Sequence, residues 1–320
     1  MKIHANITEL IGGTPLVELT ALARDLEARV CVKLESFNPM SLKDRPALAM
    51  IEGAERSGRL SSGGTIVEAT SGNMGLALTV IGRKRGYRVS LCMSELMSVE
   101  RQQLLRALGA EVILTPKEKG TKGAREQAQR IAREIEGSFY IEQHANPDNA
   151  RAHEEATSEE IWNDTEGRVD VIVAGLGSGR TLTGIARRLK PRKPALELIA
   201  VEPKEAPMIS EGRYHPHRIM GTSPGFIPAV LDRQCLDHIE LVSEEEAFRE
   251  CSELALEEGI LVGISAGAVV HACLRLARQP NRKGQLIVGI LADSAERYLS
   301  VEGFLPPPQV DGARECGRGN

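Results

Sequence analysis

The chain has 320 residues, of which 42% are hydrophobic and 26% are charged, and its formal net charge is −4. That length and apolar content are ample for one large or two medium domains with substantial cores. The near balance of charge, with no run of like charges and no basic stripe rich in aromatic residues, argues against a nucleic-acid partner.

In chain order, apolar β-branched runs alternate with helix-like stretches, which predicts βαβ units and an α/β fold with mainly parallel sheets. The predicted helices include 101–108, 124–135, 244–258 and 269–277. Ser243 and Glu246 have the spacing of a capping box at the start of the third. The predicted strands are 29–34, 65–68, 89–93, 111–114, 139–141, 169–174, 196–201, 238–242 and 286–290.

The first chemical candidate is Lys43, in the segment FNPMSLKDRPALAM at 37–50. Pro46 is compatible with the first turn of a helix, where its missing N–H would have no partner. The segment therefore predicts that Lys43 lies at a fixed junction between a loop and a helix. A surface lysine beside a helix start is the alternative that this stretch alone leaves open.

A second candidate is the turn TSGNM at 70–74, between a predicted strand and a predicted helix. Hydroxyl groups and backbone N–H groups that converge at a helix start suit a carboxylate ligand. An ordinary N-cap formed by Ser71 or Asn73 is the competing interpretation.

The third candidate is the glycine-rich turn in VDVIVAGLGSGRTLTG, residues 169–184. Glycines let consecutive backbone N–H groups face one concave site, and the following helix start favours an anion, which predicts a phosphate cradle at 177–181. A dinucleotide-binding turn is an alternative, with Glu197 or Glu202 as the ribose-binding acid, although Arg180 replaces the last glycine of that motif. A glycine-rich turn with no ligand also stays open.

The fourth candidate is Ser265, which lies between Gly263 and Gly267 ahead of a predicted helix. On its own, this serine is interpreted as a helix cap.

The order of these four features resembles the cysteine synthase group of pyridoxal-phosphate (PLP) enzymes, the O-acetylserine sulfhydrylases. The resemblance extends over about residues 7–303. It rests on the segments IGGTPLVEL (11–19), FNPMSLKDRPA (37–47), EATSGNMGLAL (68–78), MSVERQQLLRALGAEVIL (97–114), EQHANPDNARAH (142–153), AGLGSGRTLTG (174–184), GFIP (225–228), GISAGA (263–268) and DSAERYLS (293–300).

The resemblance implies a fold-type II PLP enzyme, similar to the tryptophan synthase β subunit, with two three-layer α/β/α domains. It implies a smaller mobile substrate-binding domain at 40–147 and a larger domain for the cofactor phosphate at 1–39 plus 148–303. Residues 304–320 are rich in Pro and Gly and are interpreted as a tail.

The resemblance also implies the site residues. Lys43 is expected to form the Schiff base with PLP and to act as the general base. Asn73 is expected to contact the ring 3′-oxygen, and Ser265 the pyridine nitrogen. Gly177, Ser178, Gly179, the backbone N–H of Arg180, and Thr181 are expected to hold the phosphate. The substrate carboxylate is expected at Thr70, Ser71, Gly72, Asn73, Met74 and Gln143.

The implied reaction is β-replacement, in which O-acetyl-L-serine loses acetate to give an α-aminoacrylate and sulfide then adds to form L-cysteine. A neutral serine at the pyridine nitrogen favours loss of the β-substituent over transamination or racemisation.

Several positions depart from the family pattern. Met74 replaces a threonine, His144 stands where an aromatic residue is usual, and Arg180 replaces a small residue in the cradle. The loop before Lys43 is one residue shorter than usual, and the segment MGTSPGFIP (220–228) differs from the family's entrance loop. The segment 148–162 is more similar to the B-type synthases.

These departures leave alternatives for the reaction. Other donors or nucleophiles would give cystathionine, lanthionine or diaminopropionate, or would use O-phosphoserine as donor. A serine or threonine dehydratase, an NAD-dependent oxidoreductase and a binding protein without turnover complete the alternatives.

The remaining expectations concern partners and compartment. A homodimer is expected from the resemblance only, and the sequence gives no support for a serine acetyltransferase as a further partner. Six cysteines, at 31, 92, 235, 251, 273 and 316, form no C-x-x-C pair and have no zinc-type spacing to histidines. With no signal peptide or membrane-spanning run, they predict reduced thiols, no metal and a cytoplasmic location.

Overall fold

A computed structural model describes residues 3–228 and 231–306, and within them ten strands form two separate sheets. The strands are β1 Leu16–Glu18, β2 Arg29–Leu34, β3 Thr65–Ala69, β4 Arg88–Ser94, β5 Glu111–Thr115, β6 Ser138–Tyr140, β7 Val171–Gly175, β8 Glu197–Pro203, β9 His238–Val242 and β10 Leu286–Leu291. The α-helices are α1 Asp44–Arg56, α2 Asn73–Lys84, α3 Val99–Ala107, α4 Gly120–Glu134, α5 Asp148–Ala152, α6 Ser158–Asp164, α7 Arg180–Leu189, α8 Met208–Glu211, α9 Glu244–Glu253 and α10 Ile264–Ala277.

The larger sheet has six strands in the order β1-β2-β10-β7-β8-β9, and all of its pairs are parallel except β1 with β2. Alternate side chains of its strands enter two different cores, as the period of a strand requires. Val171 and Val173 pack towards α10, whereas Ile172 and Ala174 pack towards α7. Both faces are covered, which explains why these strands are apolar throughout.

The smaller sheet has four parallel strands in the order β5-β4-β3-β6. Ile66 and Leu91 pack against α1 and α2 on one face, and Val67 and Cys92 pack against α4 on the other. Two mainly parallel sheets with helices on both faces confirm the predicted α/β class.

All nine predicted strands are found, with their ends at the predicted positions or shifted by one or two residues. The short antiparallel edge strand β1 is absent from the prediction. The capping box is confirmed, because Ser243 Oγ accepts from the Glu246 N–H and the Glu246 carboxylate accepts from the Ser243 N–H.

Three predicted helices need correction. The helix predicted at 124–135 begins four residues earlier, as α4 Gly120–Glu134. The helix predicted at 244–258 is α-helical only to Glu253, and residues Leu254–Glu258 continue it as a π-helix. The helix predicted to start at 269 starts at Ile264. Residues 265–268, SAGA, have small side chains or none, and a side chain at Gly267 would collide with the carbonyl oxygen of Ala247 in α9.

The smaller sheet lies entirely within 40–147, and the larger sheet is built from residues outside that range. Phe304, the first residue of the interpreted tail, is buried against Phe248 and Tyr298, with ring centroids 5.8 and 6.1 Å apart. Five cysteines are free thiols in the described part of the chain. Cys316 and residues 307–320 lie outside it.

Candidate active site

A cavity at the carboxyl ends of β3, β7 and β10 brings together residues that are far apart in the sequence. Parallel strands present their following loops at this edge, where ligands of α/β proteins bind. The predicted site residues that line it are Lys43, Asn73, Gly177, Ser178, Gly179, Thr181 and Ser265. Ser71 and Gly72 line a larger adjoining cavity of about 790 Å³, together with Asn73. Thr70, Met74, Gln143 and Arg180 do not line the first cavity.

Lys43 is the N-cap residue of α1, which confirms the predicted loop-to-helix junction. The loop before it is held by hydrogen bonds from the Leu42 N–H to the Ala292 carbonyl (2.9 Å) and from the Met40 N–H to Asp44 Oδ2 (2.7 Å). Burial lowers the pKa of the Lys43 amine, the Asp293 carboxylate opposes this shift, and the charge of Arg180 adds to it. A buried amine whose pKa is lowered, on a rigid support, is suited to nucleophilic and basic chemistry.

The 177–181 turn has the geometry of an anion cradle. Gly179 is the N-cap of α7 with φ of +75°, a conformation that favours glycine. A side chain at Gly177 would collide with the carbonyl oxygen of Gly221, so this position also needs glycine. No side chain caps α7, and its first N–H groups therefore stay available to an anion.

The buried side chain of His153, which was not predicted as a site residue, contacts this turn at Thr181. His153 Nε2 is 3.4 Å from Thr181 Oγ1, and its Nδ1 is 3.0 Å from Thr157 Oγ1. His153 begins a π-helical turn, His153–Thr157, that packs on α7. Gly184 permits this close packing, because a side chain there would collide with the Ala150 carbonyl. The only sequence signal was the segment 142–153 within the resemblance.

The start of α2 has no N-cap formed by Ser71 or Asn73, which was the competing interpretation of this turn. Its N-cap is Gly72, and no side chain makes a cap hydrogen bond there. Instead, Asn73 Nδ2 donates to Asp293 Oδ2 (2.5 Å), and Arg297 donates to Asn73 Oδ1. Tyr298 donates its hydroxyl to the same Asp293 oxygen (2.5 Å). One hydrogen of the Asn73 amide nitrogen stays free for a ligand.

Asp293, Arg297 and Tyr298 were not predicted as site residues, although their segment DSAERYLS was part of the resemblance. Asp293 lines the cavity, and burial raises the pKa of its carboxyl group while the hydrogen bonds from Tyr298 and Asn73 oppose that shift. Arg297 also donates to the Met40 carbonyl, so it joins the Asn73 amide to the loop before Lys43.

Ser265 is the second residue of α10 and is buried at the cavity. The interpretation of Ser265 as a helix cap is wrong, because the N-cap is Gly263 and no side chain caps this helix. Its hydroxyl group is therefore available to a ligand in the cavity.

The buried carboxylate of Glu68, which was not predicted as a site residue, holds the backbone of Gln143. The Gln143 N–H donates to Glu68 Oε2 (2.9 Å), and the Ala69 N–H donates to Glu68 Oε1 (2.7 Å). Burial raises the pKa of Glu68 to about 7. Glu68 thus ties the end of β3, just before the 70–74 turn, to the loop that carries Gln143.

Three of the departures from the family pattern are single residues beside the segments of this site. The side chain of Met74 is buried in the core beneath α2. The His144 ring packs edge-on against Phe226 at 5.3 Å, and burial lowers its pKa to about 4. Arg180 is only 2% exposed, and burial lowers its pKa to about 10.

Two classes of feature are absent from residues 3–228 and 231–306. No group of three or more His, Cys, Asp or Glu side chains there could hold a metal ion. No helix among them combines the length and apolarity needed to cross a membrane.

Comparison with known proteins agrees with this geometry. Residues 7–293 match the family model described as pyridoxal-phosphate dependent enzyme. A cysteine synthase of Staphylococcus aureus is 44% identical over 297 residues, covering 92% of this chain and 95% of the relative. The crystal structure of a cysteine synthase from Entamoeba histolytica aligns with a TM-score of 0.92 at 40% identity, over 98% of this chain and 93% of the other. That of an O-ureido-L-serine synthase aligns with a TM-score of 0.90 at 40% identity, over 98% of each chain.

Proposed function

This chain belongs to the cysteine synthase family of pyridoxal-phosphate dependent enzymes, and from that premise we propose that it makes L-cysteine from O-acetyl-L-serine and sulfide. Its general reaction class is β-replacement at an amino acid. The proposal of this particular reaction rests on one observation. Lys43, the glycine-rich turn at 177–181 and the neutral hydroxyl group of Ser265 line the same cavity.

The residues of the cavity fit the cofactor. The uncapped start of α7 and the glycines at 177 and 179 suit its phosphate, with Ser178, the Arg180 N–H and Thr181 as further donors. Asn73 has a free amide hydrogen for the ring 3′-oxygen. When bound, pyridoxal phosphate withdraws electrons from the α-carbon of the amino acid, which makes the α-proton acidic and weakens the bond to the β-substituent.

We assign two roles to Lys43, which are the covalent link to pyridoxal phosphate and the transfer of the α-proton of the substrate. Burial lowers the pKa of its amine, which favours the neutral form, and a neutral Nζ can accept the α-proton of the substrate. The loop before Lys43 is held by the hydrogen bonds of Leu42 and Met40, and Lys43 lines the cavity, so the same Nζ can return the proton when the product forms.

The 70–74 turn is the proposed site of the substrate carboxylate. Thr70 and Ser71 offer hydroxyl groups, and Asn73 and Met74 offer backbone N–H groups at the start of α2. The Gly72 N–H makes a long hydrogen bond to Thr70 Oγ1 (3.4 Å), which a carboxylate would have to replace. Gln143 is assigned to the other side of the carboxylate, where Glu68 holds its backbone. We assign 40–147 as the substrate-binding domain, and its closure would exclude water from the reaction.

Ser265 is the proposed partner of the pyridine nitrogen. A hydroxyl group does not hold a proton on that nitrogen as a carboxylate would, and this favours loss of the β-substituent over racemisation.

A second candidate is β-replacement with another nucleophile or donor. It is favoured by Arg180 and His144, which add polar groups beside the site, and by the similarity to O-ureido-L-serine synthase at 40% identity. Because the chain belongs to a pyridoxal-phosphate dependent family, we no longer propose that a dinucleotide binds at the 175–180 turn.

The test is a product assay with the purified, cofactor-loaded protein. O-acetyl-L-serine with sulfide should release cysteine and acetate in equal amounts, and Lys43→Ala should abolish both. Replacing sulfide with other nucleophiles tests the second candidate. Release of pyruvate and ammonia without any use of sulfide would contradict the proposal and identify a dehydratase.

A further inference from the structure

Glu35 is a fully buried acid that holds the loop carrying Lys43 at both of its ends. It directly follows β2, and 0% of its surface is exposed. Its Oε2 atom accepts one hydrogen bond from Asn38 Nδ2 (2.8 Å) and another from Arg45 Nε (2.6 Å). Lys43 lies between Asn38 and Arg45 in the chain, so a single carboxylate oxygen joins the two ends of the loop 38–45.

The contact between Glu35 and Arg45 is bidentate. Besides the bond from Nε, Arg45 Nη2 donates to Glu35 Oε1 (2.9 Å). The same guanidinium group also donates to both carboxylate oxygens of Glu160, at 2.7 Å each. Bidentate ion pairs of this kind fix the orientation of both groups and are stronger than neutral hydrogen bonds. Arg45 is therefore held in one orientation by two carboxylates, and Glu35 is the one that it shares with Asn38.

A third contact fixes the middle of the loop 38–45. The Leu42 N–H donates to the carbonyl of Ala292, the residue that follows β10 (2.9 Å). β2 and β10 are neighbouring parallel strands, and Leu34 is opposite Leu291 at their carboxyl ends. The residues that follow these strands, Glu35 and Ala292, thus lie at the same edge of the larger sheet and hold the loop there.

These contacts connect Lys43 to the sheet that also supports the predicted phosphate turn. The turn at 177–181 follows β7, and β7 is paired with β10. Lys43 itself falls inside 40–147, the range that we assign to the substrate-binding domain. The contacts of Glu35 nevertheless attach the loop to the larger sheet, so a movement of the smaller sheet need not carry the Lys43 amine away from the phosphate turn.

We propose that Glu35 is a positioning residue for Lys43, an inference that rests on the proposed function. Glu35 fixes the backbone on both sides of Lys43, and this keeps the amine aligned with the α-carbon of the substrate during each turnover. A displacement of about 1 Å at a reacting group can cost ~100-fold in rate. The substrate carboxylate is assigned to a different segment, the 70–74 turn, so loss of the Glu35 contacts should lower kcat and leave KM nearly unchanged.

Two variants loosen the loop in different ways. Glu35→Gln removes the negative charge and one acceptor atom and keeps the size of the side chain. Arg45 retains its pair with Glu160 in that variant, so no buried guanidinium group is left without an anion. Asn38→Ala removes the other partner of the same oxygen and changes no charge. It keeps the inference testable if Glu35→Gln fails to fold.

Lys33→Met is the matched control. Lys33 is 0% exposed and belongs to the same group of buried charges, with its Nζ 2.9 Å from Glu160 and 3.0 Å from Asp164. Among the described residues, its side chain makes no hydrogen bond to the loop 38–45. Its loss should therefore lower stability, measured by urea unfolding, without loosening the loop.

Hydrogen exchange followed by mass spectrometry measures the hold on the loop in the cofactor-loaded enzyme. The N–H groups of Met40 and Leu42 are hydrogen-bonded, so peptides that cover 38–45 should be protected in the wild type. Exchange in these peptides should be ~10-fold faster in Glu35→Gln and Asn38→Ala. Lys33→Met should show no selective increase there.

Steady-state kinetics with O-acetyl-L-serine and sulfide measure the effect on Lys43. Glu35→Gln should lower kcat by ~10- to 100-fold, and Asn38→Ala should lower it in the same direction. KM for O-acetyl-L-serine should stay within about threefold of the wild-type value in both variants. Lys33→Met should keep kcat even where its loss of stability equals that of Glu35→Gln.

Two results would overturn the inference. One is a wild-type kcat in Glu35→Gln and Asn38→Ala, whether or not exchange at 38–45 becomes faster. The other is a fall in kcat that Lys33→Met shares in proportion to its lost stability, which would limit Glu35 to a structural role. If the wild type forms no cysteine, the proposed function fails instead. Exchange of the α-hydrogen of L-alanine in deuterium oxide, a proton transfer assigned to Lys43 that needs no nucleophile, then replaces kcat in the same comparison.

Discussion

Asn73 Nδ2 lies 2.5 Å from Asp293 Oδ2, although 220 positions separate the two residues in the chain. The contact joins the start of α2, next to the smaller sheet, to the segment after β10 in the larger sheet. Tyr298 and Arg297 complete it, so one hydrogen-bonded group fixes the amide that we assign to the cofactor ring.

Asp293→Ala should disturb both stability and turnover. The change leaves the Asn73 amide and the buried Tyr298 hydroxyl without an acceptor, which costs about 1–3 kcal/mol. The displaced Asn73 should lower kcat/KM by about 10- to 100-fold. Asp293→Asn is the matched control, because its amide oxygen can accept from both donors and should keep stability within about 1 kcal/mol. Urea unfolding and steady-state kinetics measure the two effects, and equal stability of the two variants would contradict this role.

Met74→Thr should lower stability without improving substrate binding. Loss of the buried side chain from the core beneath α2 should cost about 2 kcal/mol. The side chain at 74 lines neither cavity, and its proposed contact with the substrate carboxylate is through the backbone N–H, so KM for O-acetyl-L-serine should stay unchanged. Met74→Ala has a similar loss of packing and should also leave KM unchanged in steady-state kinetics. A lower KM in Met74→Thr alone would contradict this account, because it would show that the side chain at 74 reaches the carboxylate.

Glu68→Gln should remove a pH dependence of stability. Burial raises the pKa of Glu68 to about 7 in the fold, above its usual value of 4.5. The protonated form is thus favoured in the native state, and stability falls as the pH rises from about 4.5 through 7. That shift corresponds to about 3 kcal/mol at most. Urea unfolding at pH 5 and pH 8 should show a smaller loss in Glu68→Gln than in the wild type, whereas parallel losses would contradict the assignment.

Gly184→Ala should separate the π-helical turn at His153 from α7. The new side chain would collide with the Ala150 carbonyl, and such overpacking costs about 1–3 kcal/mol. Because His153 contacts Thr181, we also expect weaker binding of pyridoxal phosphate, measured by equilibrium dialysis. Arg187→Ala, at an exposed position of the same helix, should change neither quantity. Unchanged cofactor affinity in a destabilised Gly184→Ala would limit His153 to a packing role.

The regular elements were largely predictable because their signals are local. β2 and β9 have the predicted ends, since each is a short stretch with two β-branched residues that ends before a polar residue. β1 has only three residues and depends on pairing with β2, which no local pattern shows. The π-helical turns change the hydrogen-bond register and leave the helical periodicity of the sequence nearly intact.

The cavity was predictable from its turns, whereas the groups that hold those turns were not. Gly177 and Gly179 were predictable because only glycine suits a close backbone contact or a positive φ, and the residue type itself shows this in the sequence. Asp293 and Glu68 matter through partners that are distant in the chain, and only the folded structure brings them together. The burial of Arg180 without a partner is likewise invisible in a sequence that shows an ordinary arginine at a helix start.

The attachment of pyridoxal phosphate to Lys43 is tested most directly by borohydride reduction of the purified protein, followed by digestion and peptide mass spectrometry. We expect one modified lysine, at position 43, and no cofactor-modified peptide from Lys43→Ala. A cofactor fixed to a different lysine in the wild type would contradict the account of the site.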